Sequence, residues 1–321
     1  MSSDPLELIW AGLAGLELPD AAYRRAMRAV SAALEADTAT PGAVDRFAVE
    51  RWDAFRDAAP DNPNYLVDGL LVAGALGFIG GAPKNGKTWL AAELSVAVAT
   101  GTPFCEHFGV PRHGTVLYLA LEGNRSAMRT RIGAISRTHG VDPAASDSSL
   151  LNLHVSYKPR GFDLMDPAWA ADLAAAVLAL DPALVVVDVL RAAAPRLKES
   201  GEGANDFALI RNHLQPMLDD GVTIMLCHHE IKPSDHAKGR SAGQRLAGSG
   251  ALYGACDVLL AVRSKEEDRT ALRVDHEARD IASNDPFGVY LSGTQSGIFG
   301  GWSYADTIRV VHGRDVPEAL R

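Results

Sequence analysis

The alternation of apolar and polar positions divides the chain into two parts. Residues 1–64 carry apolar side chains at spacings of three and four, which is typical of amphipathic helices; examples are Tyr23, Met27, Val30 and Leu34. A second segment of this kind runs through VDRFAVERWDAFRDA and stops at the breaker cluster Pro60-Asp61-Asn62-Pro63. We predict an N-terminal helical segment over residues 1–64, which is either a small cap on the main domain or an arm for oligomerisation or partner docking.

Residues 65–321 alternate short apolar runs with helical stretches, a pattern that predicts an α/β domain with a mostly parallel sheet flanked by helices. The predicted parallel strands are Ala75–Gly80, Thr115–Leu121, Leu184–Asp188, Val222–Cys227 and Asp257–Val262. The predicted helices are Lys87–Thr100, Ser126–His139, Pro167–Leu180 and Asp206–Leu218. Two further strands, Thr270–Asp275 and Phe287–Leu291, are expected to extend the sheet in antiparallel fashion.

A glycine-rich loop lies between the first of these strands and the first helix. Its sequence, Gly81-Ala82-Pro83-Lys84-Asn85-Gly86-Lys87-Thr88, fits the phosphate-loop pattern G-x-x-x-x-G-K-[ST] without a mismatch. Such a loop points backbone N–H groups at phosphate oxygens, while the lysine contacts the β and γ phosphates and the threonine hydroxyl binds Mg²⁺. We therefore predict that all eight residues bind Mg·ATP, although Lys84 is equally well explained as a solvated side chain.

Three predicted strand ends carry polar groups, and ligands of open α/β sheets bind at that edge. Glu122 follows the run VLYLAL, Asp188 closes LVVVD, and His228-His229 follow TIMLC. We predict that Asp188 supports Mg²⁺ and that Glu122 is the general base for the attacking water. The alternatives are a plain strand-end cap for Asp188 and, for Glu122, a carboxylate that satisfies the dipole of the next helix. One histidine is expected to face the γ-phosphate, and we assign that position to His228.

Composition and charge narrow the class of protein. The 321 residues include three scattered cysteines, which predict buried thiols in a reducing cytoplasm rather than disulfides or a zinc site. We find neither a signal peptide nor an apolar run of membrane-spanning length, so we expect no membrane association. The net charge of −9 disfavours a protein that coats nucleic acid, but it leaves room for a local basic channel.

The order of the motifs GGAPKNGKT, VLYLALEGN, LVVVDVLR, IMLCHHEIK and GRSAGQRLAGSGALYGACDVLLAVR resembles that of RecA-like AAA ATPases of the plasmid RepA type. These are hexameric ring helicases related to DnaB, found in plasmids, phages and mobile elements. The resemblance covers roughly residues 66–291 and implies a RecA-like P-loop core, ATP and Mg²⁺ as cofactors, and a homohexamer.

The resemblance also implies arginines that reach the nucleotide of the neighbouring subunit. The family pattern places one at Arg263, which closes DVLLAVR, and another at Arg279 in HEARDI. Related rings often carry Lys-x-Arg at the second place, whereas this chain has Glu277-Ala278-Arg279. Surface salt bridges are the alternative role of both arginines.

A long polar segment over residues 230–248 follows the predicted histidine strand and is basic within an acidic protein. Its cationic residues are Lys232, Lys238, Arg240 and Arg245. A loop of this length is usually functional or disordered, and cations that line a pore would track the backbone of single-stranded DNA. A second loop, residues 191–203, carries a weaker signal of the same kind because it also contains two glutamates.

Three functions compete on these observations. The first is an ATP-driven hexameric DNA motor, a helicase of the RepA type. The second is a nucleotide-gated DNA-binding protein, loader or recombination mediator that does not unwind DNA. The third is a small-molecule kinase, which is disfavoured because Glu122 and Arg263 point to water as the phosphoryl acceptor.

Overall fold

We describe a computed structural model of the protein. It describes residues 49–58, 62–198, 203–230, 250–264, 270–296 and 301–311, together with Gly243. Most of the predicted N-terminal helical segment and the basic residues Lys232, Lys238, Arg240 and Arg245 lie outside these ranges.

The strands occupy the following bounds. They are β1 (Tyr65–Val67), β2 (Leu71–Val72), β3 (Leu76–Gly81), β4 (Val116–Ala120), β5 (Leu153–Tyr157), β6 (Leu184–Asp188), β7 (Thr223–His229), β8 (Val258–Ser264), β9 (Ala271–Ala278), β10 (Phe287–Ser296) and β11 (Gly301–Val311). Strands β1 and β2 form a small antiparallel pair of their own. The other nine form one sheet in the order β11-β10-β9-β8-β3-β7-β6-β4-β5.

The described α-helices are α1 (Trp52–Ala58), α2 (Lys87–Thr100), α3 (Arg125–Thr138), α4 (Pro167–Leu180), α5 (Leu190–Ala193), α6 (Gly203–Asp219) and α7 (Gly250–Gly254). A short 3-10 helix covers Ser149–Asn152. No helix in the described part of the chain is long and apolar enough to cross a membrane.

The sheet is parallel from β5 through β8 and antiparallel from β8 to β11. The predicted α/β class, with a mostly parallel sheet flanked by helices, is therefore confirmed. Because β3, β4, β6 and β7 run in the same direction, their carboxyl ends meet at one edge. Ala120 lies beside Asp188, and Gly80 and Gly81 lie beside His228 and His229. This edge brings together the polar residues that the sequence analysis identified at the strand ends.

Helix α2 is the central helix of the hydrophobic core. Every residue from Leu90 to Ala99 is buried, which explains why this helix is apolar on all faces rather than amphipathic. Gly101 ends the helix in the left-handed region with φ of 72°, a conformation that glycine adopts without strain. On another part of the sheet, Phe78 of β3 packs against Phe207 of α6 with ring centroids 5.8 Å apart.

The structure divides into two units. One comprises residues 63–174 and 182–321 and carries the sheet, while the other comprises residues 1–62 and 175–181. Within the second unit, the described helix α1 has no buried residue, and its Trp52 and Phe55 rings stack on its surface. The boundary between residues 64 and 65 stays a prediction, as does the role of the N-terminal segment.

A buried histidine of β9 predicts a pH-dependent stability. The His276 Nε2 atom lies 3.0 Å from the Leu70 carbonyl, and the Asn284 backbone N–H donates to Nδ1 at 2.9 Å, so the ring is held neutral. Burial lowers the pKa of His276 below that of an exposed histidine. The unfolded chain therefore binds a proton more readily, and the free energy of unfolding should fall as pH drops below about 6.5.

We expect His276→Asn to reduce this dependence, as measured by urea unfolding across the range from about pH 5 to pH 8. His113→Asn, at an exposed histidine, is the matched control. Equal slopes of stability against pH for the wild type and His276→Asn would contradict the assignment.

Candidate nucleotide site

The glycine-rich loop joins β3 directly to α2, the context that the phosphate-loop motif requires. Lys84 and Gly86 adopt left-handed conformations, with φ of 66° and 87°. The Lys87 Nζ atom donates hydrogen bonds to the carbonyl oxygens of Gly81 and Ala82, at 2.7 and 2.9 Å. The lysine ammonium is thus held inside the curve of the loop.

The two motif glycines are also required by packing, which the sequence did not indicate. A Cβ atom on Gly81 would lie 2.6 Å from the carbonyl oxygen of Val262, and one on Gly86 would lie 2.7 Å from Leu272. In addition, the Ser264 hydroxyl lies 3.2 Å from Asn85 Oδ1. The loop therefore packs against the carboxyl end of β8 and the start of β9.

Lys87 is only 6% exposed, and burial lowers the pKa of its ammonium. Neighbouring negative charges oppose this effect, among them those of Asp188, Glu230 and Glu122. The position of all three carboxylates around Lys87 agrees with the expectation that the strand ends meet there.

Asp188 ends β6 and is buried beside the loop. The Thr88 hydroxyl lies 3.3 Å from Asp188 Oδ1, and the Tyr118 hydroxyl donates to Oδ2 at 2.7 Å. Burial raises the pKa of the Tyr118 phenol well above its ordinary value, so the phenol keeps its proton. Tyr118 is a site residue that sequence reasoning missed, because it stands within an apolar strand and only the pairing of β4 with β6 brings it to Asp188.

Glu122 lies beyond the end of β4 and is exposed at the same edge. The cap of α3 is Asn124, whose Oδ1 accepts a hydrogen bond from the Ala127 backbone N–H at 2.7 Å. Since Asn124 fills that position, the helix does not need Glu122 as its capping carboxylate. The alternative role of Glu122, as a carboxylate that satisfies the dipole of the next helix, is therefore less well supported.

The two histidines belong to β7, which extends to His229 rather than ending at Cys227. His228 is completely buried, and its ring packs edge-on against Phe78 at 6.3 Å between centroids. Adjacent strand residues point to opposite faces, so His229 shares a face with Cys227, whose thiol pKa is raised by burial and by the nearby negative charge of Asp188. The assignment of the phosphate-facing position to His228 stays a prediction, and His229, on the face of Cys227, is the other candidate.

Both predicted arginine fingers are held by carboxylates of their own chain. Arg263 pairs with Asp275 at 2.5 Å, and Arg273 binds the other oxygen of Asp275 at 2.9 Å. Arg279 pairs with Asp257 at 3.0 Å. Arg263 closes β8 near the loop, whereas Arg279 follows β9 and lies beside the start of β8, at the opposite end of the sheet.

The second polar loop is tied to its own chain where it is described. Arg191 Nη1 donates to the Leu197 carbonyl at 2.8 Å, and Arg196 Nε donates to Asp163 Oδ2 at 2.8 Å. Arg191 and Arg196 therefore have structural partners within their own chain.

The AAA_25 family model, described as an AAA domain, matches residues 43–235, which include the loop, Glu122, Asp188 and both histidines. The chain belongs to this AAA domain family. Its fold resembles that in the crystal structure of the RadB recombinase, with a TM-score of 0.50 and 17% sequence identity over 68% of this chain and 88% of that one. No curated protein sequence matches the chain.

This membership and this fold together support a RecA-like P-loop ATPase. Members of such a family bind a nucleotide and usually Mg²⁺. The likeness to RadB extends to the fold alone, because the identity of 17% is low.

Proposed function

We propose that this AAA-family ATPase is a Mg·ATP-driven DNA motor that works as a hexameric ring, a helicase of the RepA type that its motifs resemble. The proposal rests first on the single edge of the sheet at which Lys87, Thr88, Asp188 and Glu122 converge.

The residues at this edge fit Mg·ATP. The Thr88 hydroxyl and the Asp188 carboxylate supply the hard oxygen ligands that Mg²⁺ prefers, and Lys87 supplies a cation inside a loop of backbone N–H groups. Upon nucleotide binding, the Lys87 ammonium exchanges its two carbonyl partners for phosphate oxygens. Mg²⁺ held by Thr88 and Asp188 would supply positive charge to stabilise the transferring phosphoryl group.

Glu122 acts as the general base in this proposal, because it is exposed at the edge and is free of the capping role that Asn124 fills. Its carboxylate orients the attacking water and accepts its proton. His228 and His229 are the two candidate sensors of the γ-phosphate.

We expect Glu122→Gln to keep ATP affinity and to lower the hydrolysis rate by about 10²-fold or more, the usual scale for losing a general base. Steady-state phosphate release and equilibrium binding of a fluorescent ATP analogue measure the two quantities separately. Glu106→Gln, at an exposed glutamate in the loop after α2, is the control for removing one negative charge. Unchanged hydrolysis in Glu122→Gln would assign the base to another residue.

The motor is supported by the connection between the phosphate loop and the basic segment. The backbone N–H of Glu230, the first residue of that segment, donates to the Gly81 carbonyl at 3.2 Å. Gly81 is also one of the two carbonyls that Lys87 holds. A change at the phosphates therefore reaches the base of the segment through one shared residue, and Lys232, Lys238, Arg240 and Arg245 would carry that change to a DNA backbone.

Two measurements test the ring and the motor. Native mass spectrometry with and without a non-hydrolysable ATP analogue should show hexamers, and a forked duplex should be unwound only with hydrolysable ATP. Hexamers that hydrolyse ATP on single-stranded DNA but do not unwind the fork would favour the nucleotide-gated loader or mediator. A chain that stays monomeric with the analogue and DNA would exclude the ring.

A further inference from the structure

Tyr118 and Thr88 contact different oxygens of the same carboxylate. The Tyr118 hydroxyl lies 2.7 Å from Asp188 Oδ2, and the Thr88 hydroxyl lies 3.3 Å from Asp188 Oδ1. A carboxylate only accepts hydrogen bonds, so the phenol is the donor in the first contact. The shorter of the two contacts is thus made by a residue outside the phosphate loop.

The sheet register explains how Tyr118 reaches Asp188. Tyr118 of β4 lies beside Val186 of β6, and Ala120 lies beside Asp188. Side chains two positions apart on a strand share a face, so Tyr118 extends along the sheet toward the end of β6. The ring is completely buried in the core with Val186 and Ala120, and its hydroxyl reaches the Asp188 carboxylate at the end of β6.

The hydroxyl is not needed for packing. A phenylalanine would fill nearly the same volume in this apolar environment, and a buried hydroxyl without a partner would cost stability. The hydroxyl is therefore explained by what it does to Asp188. It occupies Oδ2 and restrains rotation of the carboxylate, so that Oδ1 stays turned toward Thr88.

The geometry points to Tyr118 as a positioning residue for the Mg²⁺ site, which acts through Asp188 and does not touch the nucleotide. This inference rests on the proposed binding of Mg·ATP at Thr88 and Asp188. Partners of this kind orient the groups that hold a metal, and losing one typically costs about 10-fold to 100-fold in metal affinity or activity.

The experiment compares Tyr118→Phe with the control Tyr65→Phe, which removes a tyrosine hydroxyl from β1 instead. Binding of a fluorescent ATP analogue is measured in EDTA and then across a Mg²⁺ titration. We expect Tyr118→Phe to bind the ATP analogue in EDTA as tightly as the wild type does. The Mg²⁺ concentration that gives half of the maximal increase in analogue affinity should rise by about 10-fold or more. Tyr65→Phe should match the wild type in both conditions.

A merely structural role for the hydroxyl would lower the affinity equally with and without Mg²⁺, and that result would overturn the inference. An unchanged Mg²⁺ requirement in a folded Tyr118→Phe protein would overturn it as well. Wild-type protein that binds no nucleotide at any Mg²⁺ concentration would instead overturn the proposed function and this inference together.

A double-mutant cycle with Asp188→Asn tests whether the effect passes through Asp188. If it does, adding Tyr118→Phe to Asp188→Asn leaves the Mg²⁺ requirement close to that of Asp188→Asn alone. A further loss as large as that in the wild-type background would contradict the positioning role. Because each comparison is made within one background, the cycle holds even if Asp188→Asn is itself less stable.

Discussion

Replacing Lys87 with alanine is expected to abolish productive ATP binding while leaving the protein folded. The ammonium is the cation that the loop encloses, and without it the phosphate charge is met by backbone N–H groups alone. Preorganised electrostatic groups of this kind are worth about 10²-fold to 10³-fold in turnover each. Fluorescent ATP binding and phosphate release are the measurements.

The effect of replacing Lys87 on the stability of the fold follows from the burial of its side chain. The Lys87 side chain is only 6% exposed and donates to two carbonyls. Burial nevertheless lowers the pKa of the ammonium, which means that the fold holds this charge at a net cost. We therefore expect Lys87→Met, which keeps most of the volume, to unfold at a temperature equal to or above that of the wild type.

The control for the lost charge is Lys158→Ala, at an exposed lysine outside the loop. It should bind and hydrolyse ATP as the wild type does. Wild-type affinity and turnover in Lys87→Ala would exclude the loop as the nucleotide site, whatever the stability of the variant.

The elements that the sequence predicted best are those with an unbroken physical signal. The helix Lys87–Thr100 and the strand Leu184–Asp188 have the predicted bounds, since one is apolar between two strong end signals and the other is buried on both faces. Strand β5 was missed because it is a half-exposed edge strand, and LHVSY contains no apolar run. The pair β1 and β2 was missed because both strands are very short.

The site was predictable as far as it depends on residue type and order. The phosphate loop and the two acids follow from motifs and strand ends, and the parallel sheet brings them to one edge. The choice between His228 and His229 could not be made from the sequence, because the apolar run TIMLC does not show which face of the strand is turned toward the phosphate loop. Tyr118 and Asp275 depend on contacts between strands, which one sequence does not reveal.

The arginines of the antiparallel strands β8 and β9 also depend on contacts between strands that one sequence does not reveal. The family resemblance implied roles for Arg263 and Arg279 but not for Arg273, which lies directly opposite Arg263 in the register of β8 and β9. Asp275 binds both Arg263 and Arg273, one on each oxygen. The Arg263 side chain is 42% exposed and that of Arg273 is 20% exposed, so Arg263 is the better placed of the two to reach a neighbouring subunit.

If Arg263 serves the neighbouring subunit, Arg263→Ala should bind ATP through its own intact loop and yet lose turnover. Fingers of this kind contribute about 10³-fold to 10⁵-fold in rate. Arg273→Ala is the matched control, because it removes the other guanidinium on Asp275; it should keep most of the turnover. Loss of turnover in both variants to the same degree would indicate that the Asp275 cluster acts as a structural unit.

Mixing separates action within a subunit from action between subunits. Arg263→Ala and Lys87→Ala are both inactive alone, but a mixed ring contains interfaces that join an intact loop from the first to an intact Arg263 from the second. Turnover of the mixture should therefore exceed the sum of its parts, because even a minority of repaired interfaces recovers a large rate. Subunit exchange is verified with differently tagged proteins.

If exchange occurs and turnover of the mixture only equals the sum of the two variants, Arg263 serves the phosphate loop of its own subunit, beside which Ser264 contacts Asn85. The same mixture made with Arg279→Ala would then decide whether Arg279, at the opposite end of the sheet, is the residue that completes the neighbour's site.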